Sequence, residues 1–266
     1  MARSVATTRA VASRRRSTAN FPYSMRHTTG TTSHVVLDTN IYFDTTLPFA
    51  ASIWINMSDY VIGFPTTSTV RTFFCVNTNQ GVGFAIQSQG LPSTPFHIGS
   101  AVSTTFAKSA MSSSATGRAL IRGGWRMITV VYDGVDYQAR SSYAFYVDDT
   151  AYALIASSLS TTVAAGANYI GQNTFSAPYC YETRFRVWSG GSVMTAAQVA
   201  DLFFDDTKPS GPTLIREYLF TEGSGTTVAD TAGGGFNGTF TNSPTWSSDT
   251  PRKTRTVAST VRTVAS

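Results

Sequence analysis

Glutamate is scarce in this chain: Glu182, Glu217 and Glu222 are the three in 266 residues. Charged side chains together make up 13%, about half the usual share. That excludes a coiled coil or a charge-rich disordered chain for the bulk of the molecule. Cysteine is nearly absent, with Cys75 and Cys180 alone, so a disulfide scaffold is excluded and both read as buried free thiols. The histidines are His27, His34 and His97, and none stands in a recognisable nucleophile context. His97, in Pro95-Phe-His-Ile-Gly, reads as a strand or loop residue. The isolated cysteines give no His/Cys metal spacing. No run approaches the ~18 apolar residues that span a bilayer. The basic start is not followed by an apolar segment, so no secretory signal is read. Residues 1–20 have the Arg- and Ser-rich, acid-poor composition of a mitochondrial transit peptide, but the other end of the chain has the same style.

What is present is aromatic and apolar: 17 Phe, 12 Tyr and 4 Trp within a 42% hydrophobic composition. This is ample material for one packed domain. The net charge of +5 is unevenly spread. Residues 1–26 carry Arg3, Arg9, Arg14, Arg15, Arg16 and Arg26 with no acid, giving +6. Residues 252–266 carry Arg252, Lys253, Arg255 and Arg262, giving +4, and the remainder is −5. The ends also share a pattern: Arg3-Ser-Val-Ala-Thr and Arg9-Ala-Val-Ala-Ser at the front, Arg255-Thr-Val-Ala-Ser and Arg262-Thr-Val-Ala-Ser at the back. We therefore divide the chain into a basic extended N-terminal arm (1–26), a β-structured body (27–251) and a basic extended C-terminal arm (252–266). Such arms seek an anionic surface. The arm residues Arg3, Arg9, Arg14, Arg15, Arg16, Arg252, Lys253, Arg255 and Arg262 are the candidate partner-binding set.

The body reads as short strands rich in aromatic and β-branched residues, separated by turn signals. Trp125-Arg-Met-Ile-Thr-Val-Val-Tyr alternates, placing Trp125, Met127, Thr129 and Val131 on one face, and Asp133-Gly134 supplies a hairpin turn. Thr195-Ala-Ala-Gln198 is a capping box. It opens a helix with Val199, Leu202 and Phe203 on one side, stopped by Pro209 and Gly211-Pro212. Many short strands at this spacing predict an all-β antiparallel sandwich or jelly roll with one short helix.

Trp125-Arg-Met-Ile-Thr-Val-Val-Tyr-Asp-Gly followed by Phe145-Tyr-Val-Asp-Asp resembles the central hairpin of laminin-G-like domains in the concanavalin A-like lectin/glucanase superfamily. Tyr169-Ile-Gly, Phe185-Arg-Val-Trp-Ser and Met194-Thr-Ala-Ala-Gln-Val-Ala-Asp-Leu-Phe are similar to that family's closing strands and short helix. Tyr218 to Phe240 is similar to a segment that often opens such domains, which suggests a rotated start point. The resemblance covers residues 30–248, and Asp149 stands where the family has glycine. It implies a concanavalin A-like β-sandwich, an architecture that serves binding, catalysis and scaffolding alike.

The glucanase branch places Glu, Asp and Glu at alternating strand positions, and this sequence has no such run. Glu182 followed by Arg184 and Arg186, and Glu217 beside Arg216, read as ion-paired strand surfaces, so no enzyme activity is expected. Lectin-like sandwiches often hold calcium in oxygen-rich loops. Asp133, Asp136, Asp148 and Asp149 bracket one hairpin and are the calcium candidates, with turn formation as the plainer role. Trp54, Trp125, Trp188 and Trp246 are candidates for a sugar platform, three of them pointing inward by alternation. Gly233-Gly-Gly235 lacks the following Lys-Ser/Thr of a phosphate cradle.

The function expected from arms and resemblance together is a non-enzymatic virion structural protein: a bacteriophage capsid decoration or minor capsid protein on the capsid surface. Its partners would be the major capsid protein or other virion proteins, with the chain oligomeric or lattice-bound and no membrane involved. Nucleic acid could meet the N-terminal arm through phosphate neutralisation. The alternative is a carbohydrate-binding, lectin-like adhesion module of a virion or tail appendage.

Overall fold

The computed structural model describes residues 21–27, 33–37, 42–56, 69–78, 83–90, 97–102, 107–108, 110–111, 124–137, 139–155, 168–171 and 180–251. Two large sheets carry the chain, with strands numbered in chain order. The first contains β1 (Ser24–Arg26), β4 (Phe49–Asn56), β10 (Trp125–Tyr132), β11 (Tyr143–Val147), β12 (Thr150–Tyr152), β15 (Tyr181–Gly191), β16 (Pro212–Tyr218) and β19 (Thr245–Ser247). Their order is β12-β11-β10-β4-β15-β1-β19, with β16 also on β15. The second contains β2 (His34–Val36), β3 (Tyr42–Phe43), β5 (Thr69–Thr78), β6 (Gly83–Gly90), β7 (His97–Val102), β8 (Ala107–Lys108), β14 (Tyr169–Gly171), β17 (Thr227–Val228) and β18 (Gly238–Thr241). It runs β17-β18-β2-β14-β5-β6-β7-β8, with β3 beside β5. A minor pair joins β9 (Ala110–Met111) to β13 (Leu154–Ile155). Pairing is antiparallel apart from β3 on β5. The expected all-β sandwich is therefore the fold.

Alternation along β10 shows why the first sheet sits centrally. Ile128, Val130 and Tyr132 join the core between the sheets, while Met127 and Val131 join a second cluster on the opposite face. That second cluster forms beneath the single α-helix among the described residues, α1 (Ala196–Asp205). Thr195 caps α1: its hydroxyl accepts from the Gln198 backbone, and the Gln198 side chain accepts from the Thr195 N–H at 2.9 Å. Val199, Leu202 and Phe203 face Trp54, Trp188 and Met194, each full burial contributing about 1.5–3 kcal/mol. The helix ends earlier than the Pro209 signal, because Asp206 turns left-handed at φ 56° and donates its N–H to Asp201. No helix among the described residues is long and apolar enough to cross a membrane.

Residues 21–26, assigned to the arm by composition, are part of the body. Met25 is fully buried, β1 pairs with both β15 and β19, and the Phe21 ring meets Trp54 edge-on at 5.2 Å. Both cysteines are buried free thiols, as expected, and burial pushes the Cys75 thiol up to about 12.

Candidate binding site

One row crosses the first sheet near the end of its strands. Trp125 pairs with Asn56, Asn56 with Tyr181, Tyr181 with Arg26 and Arg26 with Thr245. Directly opposed residues present their side chains to one face. Two positions along that face lie Met127 and Trp54, in the helix-side cluster, so the row looks away from the second sheet. Trp125 and Tyr181 are half-buried and Arg26 is exposed. The two rings stand 6.4 Å apart at 52°, and the Arg26 guanidinium lies 5.8 Å from the Tyr181 ring centre.

Asp249 closes the row from above. Trp125 Nε1 and Asn56 Nδ2 each donate to one of its carboxylate oxygens at 3.2 Å, and the Ser24 hydroxyl donates to its carbonyl at 2.6 Å. The result is an aromatic pair flanked by a carboxylate, an amide and a guanidinium. That set can stack on an apolar ring face while its polar groups exchange hydrogen bonds with hydroxyls. The sequence flagged Trp125 but gave no sign of Asp249 or Tyr181, which reach the row only through strand pairing and the chain's return past β19. Of the other tryptophans, Trp54 and Trp188 are buried beneath α1. Trp246 packs partly against the inter-sheet core and donates to the Gly225 carbonyl.

The ionic residues of β15 behave differently from the sequence reading. Arg184 sits in a bulge with φ 50°, which reverses the simple i, i+2 alternation. Glu182 consequently faces inward, away from Arg184 and Arg186. Those two arginines instead grip Asp206, Arg184 Nη1 on one oxygen and Arg186 Nη1 on the other. Arg186 Nε also donates to Glu217 at 2.8 Å across the β15–β16 pair. Glu217 further accepts from Lys208 and Thr231. Burial pushes the Glu217 carboxyl up, but Lys208, Arg186 and Thr231 overcome it and hold it below the ordinary value. Arg216, read as its partner, stacks over the Phe236 ring at 4.1 Å.

The calcium candidates do not converge. Asp133 and Asp136 follow the Tyr132 end of β10, where Asp133 accepts from the Val135 N–H. Asp148 binds Arg126 and the Met127 N–H at the opposite end of the hairpin, with Asp149 beside it. The plainer role as turn formers accounts for what is seen of Asp133 and Asp148. The arm residues Arg3, Arg9, Arg14, Arg15, Arg16, Arg252, Lys253, Arg255 and Arg262 lie outside the described residues.

Sequence spacing gave no metal motif, yet folding gathers His27, Cys180 and Glu182. Their donor atoms all lie within 4.8 Å of one another, and all three residues are buried. His27 Nε2 stands 3.0 Å from Glu182 Oε2, and Cys180 Sγ 4.0 Å from Glu182 Oε1. Burial pushes the Glu182 carboxyl up, against the opposing pull of His27.

No family model matches this chain, and no curated protein does. Among solved structures it is similar to a protein from Bacteroides ovatus ATCC 8483 proposed to bind carbohydrate. The TM-score is 0.45 at 13% sequence identity, covering 86% of this chain and 60% of that one. This chain thus spans less than two thirds of that protein's length.

Proposed function

We propose that this chain is a non-enzymatic carbohydrate-binding module of lectin-like architecture, with the sugar seated on the Trp125–Tyr181 row. The observation that carries this reading is the row itself. It sets two half-buried aromatic rings beside an exposed guanidinium and a carboxylate, on the sheet face turned away from the second sheet. Aromatic faces supply area at little entropic cost, and the few convergent polar groups set orientation. The test is a glycan array probed with the full chain, followed by calorimetry on any oligosaccharide retained. Tyr181→Ala and Trp125→Ala should each weaken binding about tenfold, the equivalent of ~1.4 kcal/mol, with unfolding curves checking that the body survives. An array with no retained glycan, or variants that bind as well as the parent, sinks the reading.

A second reading, a virion structural protein of capsid-decoration type held to the major capsid protein by its arms, is favoured by a separate observation. Phe21 packs on Trp54 and Asp249 bonds Asn56, two outward neighbours on β4. Phe21 and Asp249, near the two ends of the described residues, thus lie on one face. The charge and shared pattern of residues 1–20 and 252–266 suit a common partner.

A further inference from the structure

His27 directly follows β1, Cys180 is the residue before β15, and Glu182 is the second residue of β15. The backbone fixes their approach: the His27 N–H donates to the Cys180 carbonyl at 3.1 Å, and Met25 pairs with Glu182. His27 Nδ1 lies 2.9 Å from the Ser33 carbonyl oxygen. The Ser33 hydroxyl lies 3.1 Å from the same nitrogen. In the tautomer that donates from Nδ1 to the carbonyl, which can only accept, Nε2 is left unprotonated to face Glu182. A hydrogen bond from histidine to a carbonyl is the usual outer-sphere support of a metal-bound imidazole. On the far side, the ring lies against Gly171 of the second sheet, where a Cβ would collide with His27 Cε1. The imidazole is thereby clamped in one plane.

The Nε2–Oε2 approach is close but poorly aligned, and neither atom has a well-formed hydrogen-bond partner. Lone pairs aimed at a shared third point produce that geometry. Zinc bonds of about 2.0–2.1 Å to N and O and 2.3 Å to S place tetrahedral N···O and S···O donor pairs about 3.3–3.6 Å apart. The observed separations, 3.0 Å from Nε2 to Oε2 and 4.0 Å from Sγ to Oε1, lie a few tenths of an ångström to either side of that span, so a small side-chain adjustment would bring the donors onto one ion. Charge agrees as well. A divalent cation with one thiolate, one carboxylate and a neutral imidazole is electrically neutral, which a site with no exposed side chain requires. We infer that His27, Cys180 and Glu182 form a binding site for a borderline divalent metal of the zinc class, which ties the residue after β1 to the start of β15. They supply three of its ligands, one nitrogen, one sulfur and one carboxylate. A mixed N, S and O donor set suits zinc rather than calcium or magnesium.

The experiment uses the full chain, purified without chelator, stripped, and reloaded with zinc or cobalt(II) alone. The expected result is one zinc per chain by elemental analysis, a melting temperature several degrees higher with zinc, and a near-ultraviolet thiolate-to-cobalt band. Cys180→Ser should remove the cobalt band, and Glu182→Gln should remove most of the zinc-dependent thermal shift. A folded wild-type chain that takes up no zinc and shows no thermal shift overturns the inference. So does bound metal indifferent to Cys180→Ser, which would mark an adventitious surface site. Should the variants fail to fold, zinc-edge X-ray absorption on the loaded wild type still decides. A sulfur shell at about 2.3 Å supports the site, and a shell of nitrogen and oxygen alone overturns it.

Discussion

Glu217 takes donors from three directions, from Arg186, Lys208 and Thr231. The pair with Arg186 is almost wholly buried, the two side chains being 3% and 2% exposed. Breaking such a pair from one side strands a buried charge. Arg186→Met should therefore destabilise the fold by about 3–5 kcal/mol, whereas a joint replacement of both partners by apolar side chains should cost much less. The same carboxylate predicts a pH dependence. Its folded-state value is depressed, so the stability it contributes is complete above the ordinary glutamate value of about 4.3. That stability drains as the pH falls toward the depressed value. Urea midpoints taken between about pH 6 and pH 3 should fall for the wild type, and more gently for Glu217→Gln. Parallel curves would remove Glu217 as a source of acid sensitivity.

At the scale of elements, α1 is the one most open to a simple test. Its apolar side holds Trp54 and Trp188 against the outer face of the first sheet, and its start depends on Thr195. Thr195→Ala removes the side-chain acceptor for the Gln198 N–H and should cost about 1 kcal/mol in chemical unfolding, with Thr195→Ser close to neutral. This helix was legible in the sequence because its cap, apolar spacing and packing residues are all local, within Thr195 to Phe203. The strand character of β10 and β11 was legible for the same reason, through alternation and the Asp133-Gly134 turn. The bulge at Arg184 was not. Nothing in Glu182-Thr-Arg184-Phe-Arg186 announces a left-handed residue, and a single such residue decides which face each later side chain meets. Reading that stretch as uniform alternation misplaced Glu182 on an ion-paired surface and hid its meeting with His27. Asp206 escaped notice because its role depends on the helix ending left-handed above Arg184 and Arg186. The binding row was half visible. Trp125 declared itself, but Tyr181, Arg26 and Asp249 gather only when β15, β1 and β19 lie side by side.

At the scale of the whole molecule, charge and chain path argue together. The body between residues 27 and 251 is acidic at −5, while the segments outside it are strongly basic. The described residues begin at Phe21 and end at Pro251, and near those ends Phe21 packs on Trp54 and Asp249 accepts from Asn56 on one face. Trp54 and Asn56 are two residues apart on one strand, about 7 Å. Segments continuing from two points so close together would, under the arm-anchored reading, engage one partner at once, the second contact forming at a high effective concentration. Under the arm-anchored reading, co-sedimentation of the full chain with the parental particles should be lost on trimming to residues 21–251. Removing either arm alone should already weaken it by about 10²–10⁴-fold, well beyond a halving of sites. Raised salt should weaken the full chain most, because the arms carry the positive charge. Glycan binding by the row should survive the same trimming, since every residue of the row lies within 21–251. If either single-arm deletion leaves particle binding unchanged, the arms do not act as a linked pair. If the trimmed body keeps a glycan while particle binding never depended on the arms, the carbohydrate reading stands by itself.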